Sequence, residues 1–247
     1  MQARDRLIVA LDRSSRDDIL RLTDQLHGVA GAFKIGLQAF IANGPPIVRE
    51  IVSRGERVFF DLKIHDIPNT AQNAVAQAAA LGAAIVTVHI AGGEAMLRAC
   101  ADTVDRLKPV PQEAHASDPL WDRLQPVLVA GVTVLTSLDD ADLPPIGFTG
   151  SAVDNAVRLA RLAQSCGLRA VVCSPREIAA IRDACGSELA IIVPGIRPAG
   201  SDAGDQRRTT TPAAAIAAGA DSIVVGRPIT DARDPRAAAL ELIESLL

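Results

Sequence analysis

Short apolar, β-rich runs recur along the whole chain, most of them followed by a stretch of helical pattern, and this alternation limits the fold more than any other feature. The runs are Leu7–Leu11, Ala32–Ile35, Val58–Leu62, Ile85–His89, Val127–Val134, Ala170–Cys173, Ala190–Val193 and Ser222–Val225. Most are continuous Val, Ile and Leu, as strands covered on both faces of a parallel sheet require. Between them, Ser15–Leu26, Thr70–Leu81, Glu94–Leu107, Val153–Ser165, Arg176–Ala184 and Pro235–Leu246 read as helices. Ser14 is expected to cap the first, with Asp17 and Asp18 in its opening turn where carboxylates favour the helix dipole. Gly82, Gly167 and Gly219 stand where αL caps would stop helices before the next strand. Eight β-then-α units in 247 residues predict an α/β chain folded as one (β/α)8 TIM barrel domain. The alternative is an open doubly wound sheet, but the first turn reads LDRSS and holds no GxGxxG.

Composition narrows the partners. The chain is 49% hydrophobic and only 2% aromatic, so Ala, Val, Ile and Leu must fill the core. A net charge of −4 argues against a general nucleic-acid binder, which needs clustered cations on phosphates. The scarcity of aromatic rings removes the stacking platform that single strands use. No apolar run approaches the ~20 residues that span a bilayer, and MQARDRLIVALDR lacks the layout of a signal peptide. A cytoplasmic location without membrane partners is the expectation. Cys100, Cys166, Cys173 and Cys185 form no CxxC pair and have no histidine at metal-ligand spacing, so reduced, mostly buried thiols are expected.

Two stretches break the rhythm. Residues 109–125 are a Pro-containing polar insertion, expected to be an exposed loop with a short helix around Trp121. Residues 198–211, PAGSDAGDQRRTTT, follow the seventh run and are placed where a barrel carries a mobile lid.

Barrel chemistry sits at the C-terminal ends of the strands. There the first strand delivers Asp12, the second Lys34, and the third Asp61, Lys63 and, just beyond, Asp66. A period of two puts Asp61 and Lys63 on one face. An isolated Asp-x-Lys reads most simply as a structural ion pair, but four or five charges converging on one mouth do not. Gly226-Arg227 ends the last strand and suits a phosphate, and the lid candidate contributes Arg197, Gln206, Arg207 and Arg208. Thr133, Thr136 and Ser137 could face a polar ring or merely cap the next turn. His89 fits a structural histidine better than a pocket residue, and His65 acquires no role.

These residues carry a resemblance. DLKIHDIPNT at 61–70 is similar to the signature of the orotidine 5'-phosphate decarboxylase family, and LIVALD, FKIG, VTVLTS, VPGIRP and VVGRPI extend the likeness over nearly the whole chain. The resemblance implies cofactor-free and metal-free conversion of orotidine 5'-monophosphate to UMP and CO2. Lys63 would protonate C6 and Asp61 would sit beside the leaving carboxylate. Asp66 and Thr70 would reach into the partner's site of a homodimer with shared active sites. Asp12 and Lys34 would hold ribose hydroxyls, Thr136 the pyrimidine edge, and Arg197, Gln206, Gly226 and Arg227 the phosphate. The insertion at 109–125 is longer than the family pattern leads one to expect.

Two other readings share part of this pattern. A Mg²⁺-dependent decarboxylase of a keto-sugar phosphate shares Asp-x-Lys-x-x-Asp but needs a carboxylate on the second strand, where this chain has Lys34. A non-catalytic phosphate-ligand sensor would be free to lose Lys63, which is present.

Overall fold

The computed structural model describes residues 3–107, 127–197 and 210–246. Eight parallel strands close a barrel in chain order. They are β1 Leu7–Ala10, β2 Ala32–Gly36, β3 Val58–Ile64, β4 Ile85–His89, β5 Leu128–Val132, β6 Ala170–Val172, β7 Ala190–Val193 and β8 Ser222–Val225. The barrel closes where Ile8 of β1 pairs with Ala32 of β2 on one side and Val224 of β8 on the other. The helices are α1 Arg16–Gln25, α2 Leu37–Asn43, α3 Pro45–Ser53, α4 Pro68–Ala80, α5 Glu94–Arg106, α6 Ala152–Ser165, α7 Ile178–Cys185, α8 Pro212–Ala217, α9 Arg227–Thr230 and α10 Pro235–Glu244.

The alternation of side chains along each strand divides the core in two. Leu7, Val9, Phe33, Ile35, Val86, Val88, Ile191 and Val193 belong to a large cluster shared with helix residues such as Ile19, Leu22, Ile47 and Ile51. The opposite parity forms a smaller cluster: Ile8, Ala10, Ala32, Phe59, Ile85, Leu128, Ala130, Ala170, Ala190, Ile192 and Val224. Its buried members all lie on strands, so it is the barrel interior, and alanine dominates where eight strands converge. Each buried Leu, Ile or Phe contributes about 1.5–3 kcal/mol to holding strands and helices together. No helix among the described residues is long and apolar enough to cross a membrane.

Local chemistry accounts for the departures from the sequence reading. The cap of α1 is Ser15 rather than Ser14: Ser15 is extended and its hydroxyl accepts the Asp18 N–H at 3.3 Å, whereas the Ser14 hydroxyl accepts from Gln38. Two helices, α2 and α3, fill the stretch between β2 and β3 that the pattern left unassigned. Leu37 and Ile41 of α2 are exposed, which blurs its apolar face. Pro45-Pro46 reads as a break but opens α3, because a first-turn proline forfeits only N–H groups that have no helical partner. Likewise α4 begins at Pro68, two residues before its expected start at Thr70. Gly82 has φ +88, as its predicted left-handed cap requires.

All four cysteines are buried and free, and burial pushes the Cys100 thiol up to about 11. The 109–125 insertion lies outside the described residues. So does the 198–211 stretch, apart from Thr210 and Thr211, and with it Gln206, Arg207 and Arg208.

Candidate active site

The inward parity that fills the barrel also builds its mouth. Continuing each interior row by two residues leads from Ala10 to Asp12, from Ala32 to Lys34, from Phe59 to Asp61 and from Val224 to Gly226. Each of those endpoints lines one cavity of about 470 Å³ at the C-terminal ends of the strands. On β5 the same row continues through Val132 and Val134 to Thr136, which also lines the cavity, as do Lys63, Arg197 and Arg227. Asp66 and Thr70 do not; they are exposed on the segment that leaves β3 and on the first turn of α4. Gln206 lies outside the described residues.

Four charges form one alternating chain across β1, β2 and β3. Lys34 Nζ is 2.8 Å from Asp12 Oδ1 and 3.8 Å from Asp61 Oδ2. Lys63 Nζ lies 2.9 Å from Asp61 Oδ1 and 2.8 Å from Oδ2. Burial alone would raise the Asp61 carboxyl, but Lys63, Lys34 and hydrogen bonds from Lys63 and Thr87 outweigh it and hold the group below its ordinary value. Asp61 is therefore a carboxylate at neutral pH, and it stands beside an ammonium with its charge fixed in place.

Simple strand periodicity does not produce this pair. Phe60 pairs with Val86, but the next β3–β4 pair is Ile64 with Val88, so β3 spends four steps where β4 spends two. Within this bulge Lys63 adopts φ +52, and it is the sole non-glycine residue with positive φ among those described. A lysine in that region costs on the order of 1–2 kcal/mol. Thr87 of β4 fills the gap. Its hydroxyl accepts the Lys63 backbone N–H at 2.8 Å and donates to Asp61 Oδ1 at 3.0 Å.

The β8 end of the cavity, beside β1 in the barrel, is plainer. A Cβ placed on Gly226 would find Ala10 Cβ at 3.5 Å as its nearest neighbour, an ordinary contact, so the barrel itself has room for a methyl group there. Arg13, unassigned from sequence, also lines the cavity and ties β1 to α9 by donating to the Thr230 carbonyl and hydroxyl, while pairing with Asp231. The Arg197 backbone N–H donates to the Thr210 carbonyl, which fastens the two described ends of the 198–209 interval. His89 packs its half-buried ring against His65 at 5.5 Å. Burial, then His65 and Lys63, hold His89 below its ordinary value, and neither histidine lines the cavity.

A closed eight-stranded β/α barrel with paired lysines and carboxylates at the C-terminal mouth defines a barrel enzyme, and the separate Gly-Arg end of β8 suits an anionic substrate. The chain belongs to the orotidine 5'-phosphate decarboxylase / HUMPS family, whose model matches residues 5–242. It is 48% identical over 245 residues to an orotidine 5'-phosphate decarboxylase of Sodalis glossinidius, covering 99% of this chain and 91% of that protein. A protein of the same name from Moorella thermoacetica is 50% identical over 240 residues, covering 97% and 91%. Among solved structures, the orotidine 5'-phosphate decarboxylase of Lactobacillus acidophilus superposes with a TM-score of 0.81 at 31% identity, covering 97% of this chain and 98% of that one.

Proposed function

We propose that the chain decarboxylates orotidine 5'-monophosphate to UMP and CO2 in pyrimidine biosynthesis, using neither metal nor organic cofactor. The observation that carries this reading is the Asp61–Lys63 pair, held at 2.8 Å in the barrel mouth and extended through Lys34 to Asp12. Breaking the C6–carboxylate bond leaves an electron pair in the ring plane, where no π-system can absorb it. A preorganised ammonium at C6 stabilises that charge as it develops and then donates a proton. Lys63 fills this role and becomes a neutral amine that solvent reprotonates. Asp61 stands beside the leaving carboxylate, and its negative charge disfavours the substrate carboxylate more than neutral CO2.

The remaining assignments belong to the same proposal. Asp12 and Lys34 hold the ribose hydroxyls, and Thr136 the pyrimidine edge. Arg197, Gln206, Gly226 and Arg227 take the phosphate, with residues 198–211 as the lid of a single barrel domain. That remote grip supplies binding energy for ordering the reacting end. Asp66 and Thr70 complete the site of a second copy in a homodimer. The exposure of Leu37, Ile41 and Ile67, on the segments leaving the adjacent strands β2 and β3, supports an apolar contact there.

Lys34 separates this reading from the Mg²⁺-dependent rival: an ammonium paired with Asp12 and Asp61 stands where that chemistry places a metal-binding carboxylate. The test is turnover of orotidine 5'-monophosphate by purified protein in EDTA. Conversion to UMP is the expected result. Turnover of a keto-sugar phosphate on adding Mg²⁺, with none of the nucleotide, would overturn it.

A further inference from the structure

The interior row of β4 runs from Ile85 to Thr87, so a hydroxyl follows an apolar side chain into the barrel. Thr87 is fully buried and is not part of the cavity wall. It sits opposite the bulge, between the Phe60–Val86 and Ile64–Val88 pairs. There the Lys63 N–H finds the Thr87 hydroxyl at 2.8 Å, and the hydroxyl proton is directed to Asp61 Oδ1 at 3.0 Å. A hydroxyl can accept and donate at once, which no apolar group of its size can do.

We propose that Thr87 is a positioning residue: its hydroxyl fixes the backbone of Lys63 and the carboxylate of Asp61 together, and so sets the geometry of the catalytic pair without touching substrate. The inference rests on the reading of Lys63 and Asp61 as the reacting pair. The Lys63 backbone at φ +52 persists only where its surroundings over-determine it, and the hydrogen bond to Thr87 is one such constraint. Valine at this position keeps the shape and removes both bonds. The N–H of Lys63 then lacks its acceptor, the bulge is free to relax, and the ammonium moves relative to C6. Displacement on the order of 1 Å can lower a rate about 100-fold.

The experiment compares Thr87→Val, Thr87→Ser and Lys63→Ala for kcat, KM, melting temperature and the pH profile of kcat/KM. Thr87→Val is expected to lower kcat by about ten- to hundredfold with KM nearly unchanged, because the side chain is off the cavity wall. The acid limb should also move to higher pH. Asp61 is faced by Lys63 on its own strand, Lys34 from β2, and Thr87 and His89 from β4, and the variant removes one group that holds its carboxylate charged. Thr87→Ser keeps the hydroxyl and should recover most of kcat and the original limb. Should the valine variant fail to fold, Thr87→Ala carries the same comparison.

Unchanged kcat in Thr87→Val beside an inactive Lys63→Ala would overturn this inference and leave the catalytic reading standing. A lower kcat that serine does not rescue, with an unmoved acid limb, would reduce Thr87 to a structural role. Full activity in Lys63→Ala would overturn the catalytic reading itself and this inference with it.

Discussion

β3 and β8 end in the same cavity by opposite means. β8 keeps a regular register with both neighbours, Val193 pairing with Ile223 and Val9 with Val225, and then delivers a glycine where an added Cβ would make only ordinary contacts with Ala10. β3 breaks its register after Phe60, places a lysine at positive φ and buries a carboxylate against two ammonium groups. One strand contributes room for a methyl group and a cation where the phosphate grip is proposed. The other spends conformational energy and desolvation to hold charges where the chemistry is proposed to occur. Regular barrel geometry positions the first; only an irregularity, stapled by Thr87, positions the second.

This contrast can be broken at either strand. Asp61→Asn keeps size but loses the charge that faces both lysines, and kcat should fall by about 10²–10³, read by steady-state turnover at pH 7. The same variant reports on stability. Because the folded Asp61 carboxyl lies below its unfolded value, its charge stabilises the fold above the unfolded pKa of about 3.9, and that stabilisation fades as pH falls through the lower folded value. The stability gap between wild type and Asp61→Asn, measured by urea unfolding, should therefore narrow on going from pH 6 toward pH 3.

On the β8 side, Arg227→Ala should lower kcat/KM by about ten- to hundredfold, the worth of a charge-assisted bond to phosphate, although Arg227 lies away from the proposed reacting carbon. Inorganic phosphate, added as a competitive inhibitor, should bind correspondingly more weakly to the variant. Gly226→Ala should leave the melting temperature nearly unchanged, since its Cβ meets the protein only at ordinary contact distance. Its methyl group narrows the cavity, and KM should rise by about tenfold.

The smallest effect isolates strain. Lys63→Gly and Lys63→Ala both remove the ion pair, yet only glycine tolerates φ +52 freely. The glycine variant should be more stable than the alanine variant by about 1 kcal/mol, the reverse of the usual order within strands. Equal stability would mean that the β3 bulge stores no backbone strain.

How much of this was legible in the sequence follows the same divide. The barrel was, because eight apolar runs announce strands buried on both faces. Inward parity then carries Asp12, Lys34, Asp61 and Gly226 to one mouth. The apposition of Asp61 and Lys63 was expected from a period of two, but they meet through a bulge, and a bulge is a mismatch between β3 and β4 that neither strand displays alone. Thr87 left one signal, a hydroxyl two residues after inward-facing Ile85, whose meaning depends on that mismatch. Arg13 was hidden because its partners, Thr230 and Asp231, lie at the other end of the chain. α2 and α3 were obscured by the exposed apolar Leu37 and Ile41 and by prolines that open a helix instead of ending one.

The most direct test of the account is Lys63→Ala assayed alongside its affinity for UMP by calorimetry. The account predicts a loss of kcat of about 10³ or more, with UMP affinity changed less than about tenfold, because the ammonium is assigned to proton delivery rather than to binding. Retained turnover, or a loss matched by an equal loss of UMP affinity, would contradict it.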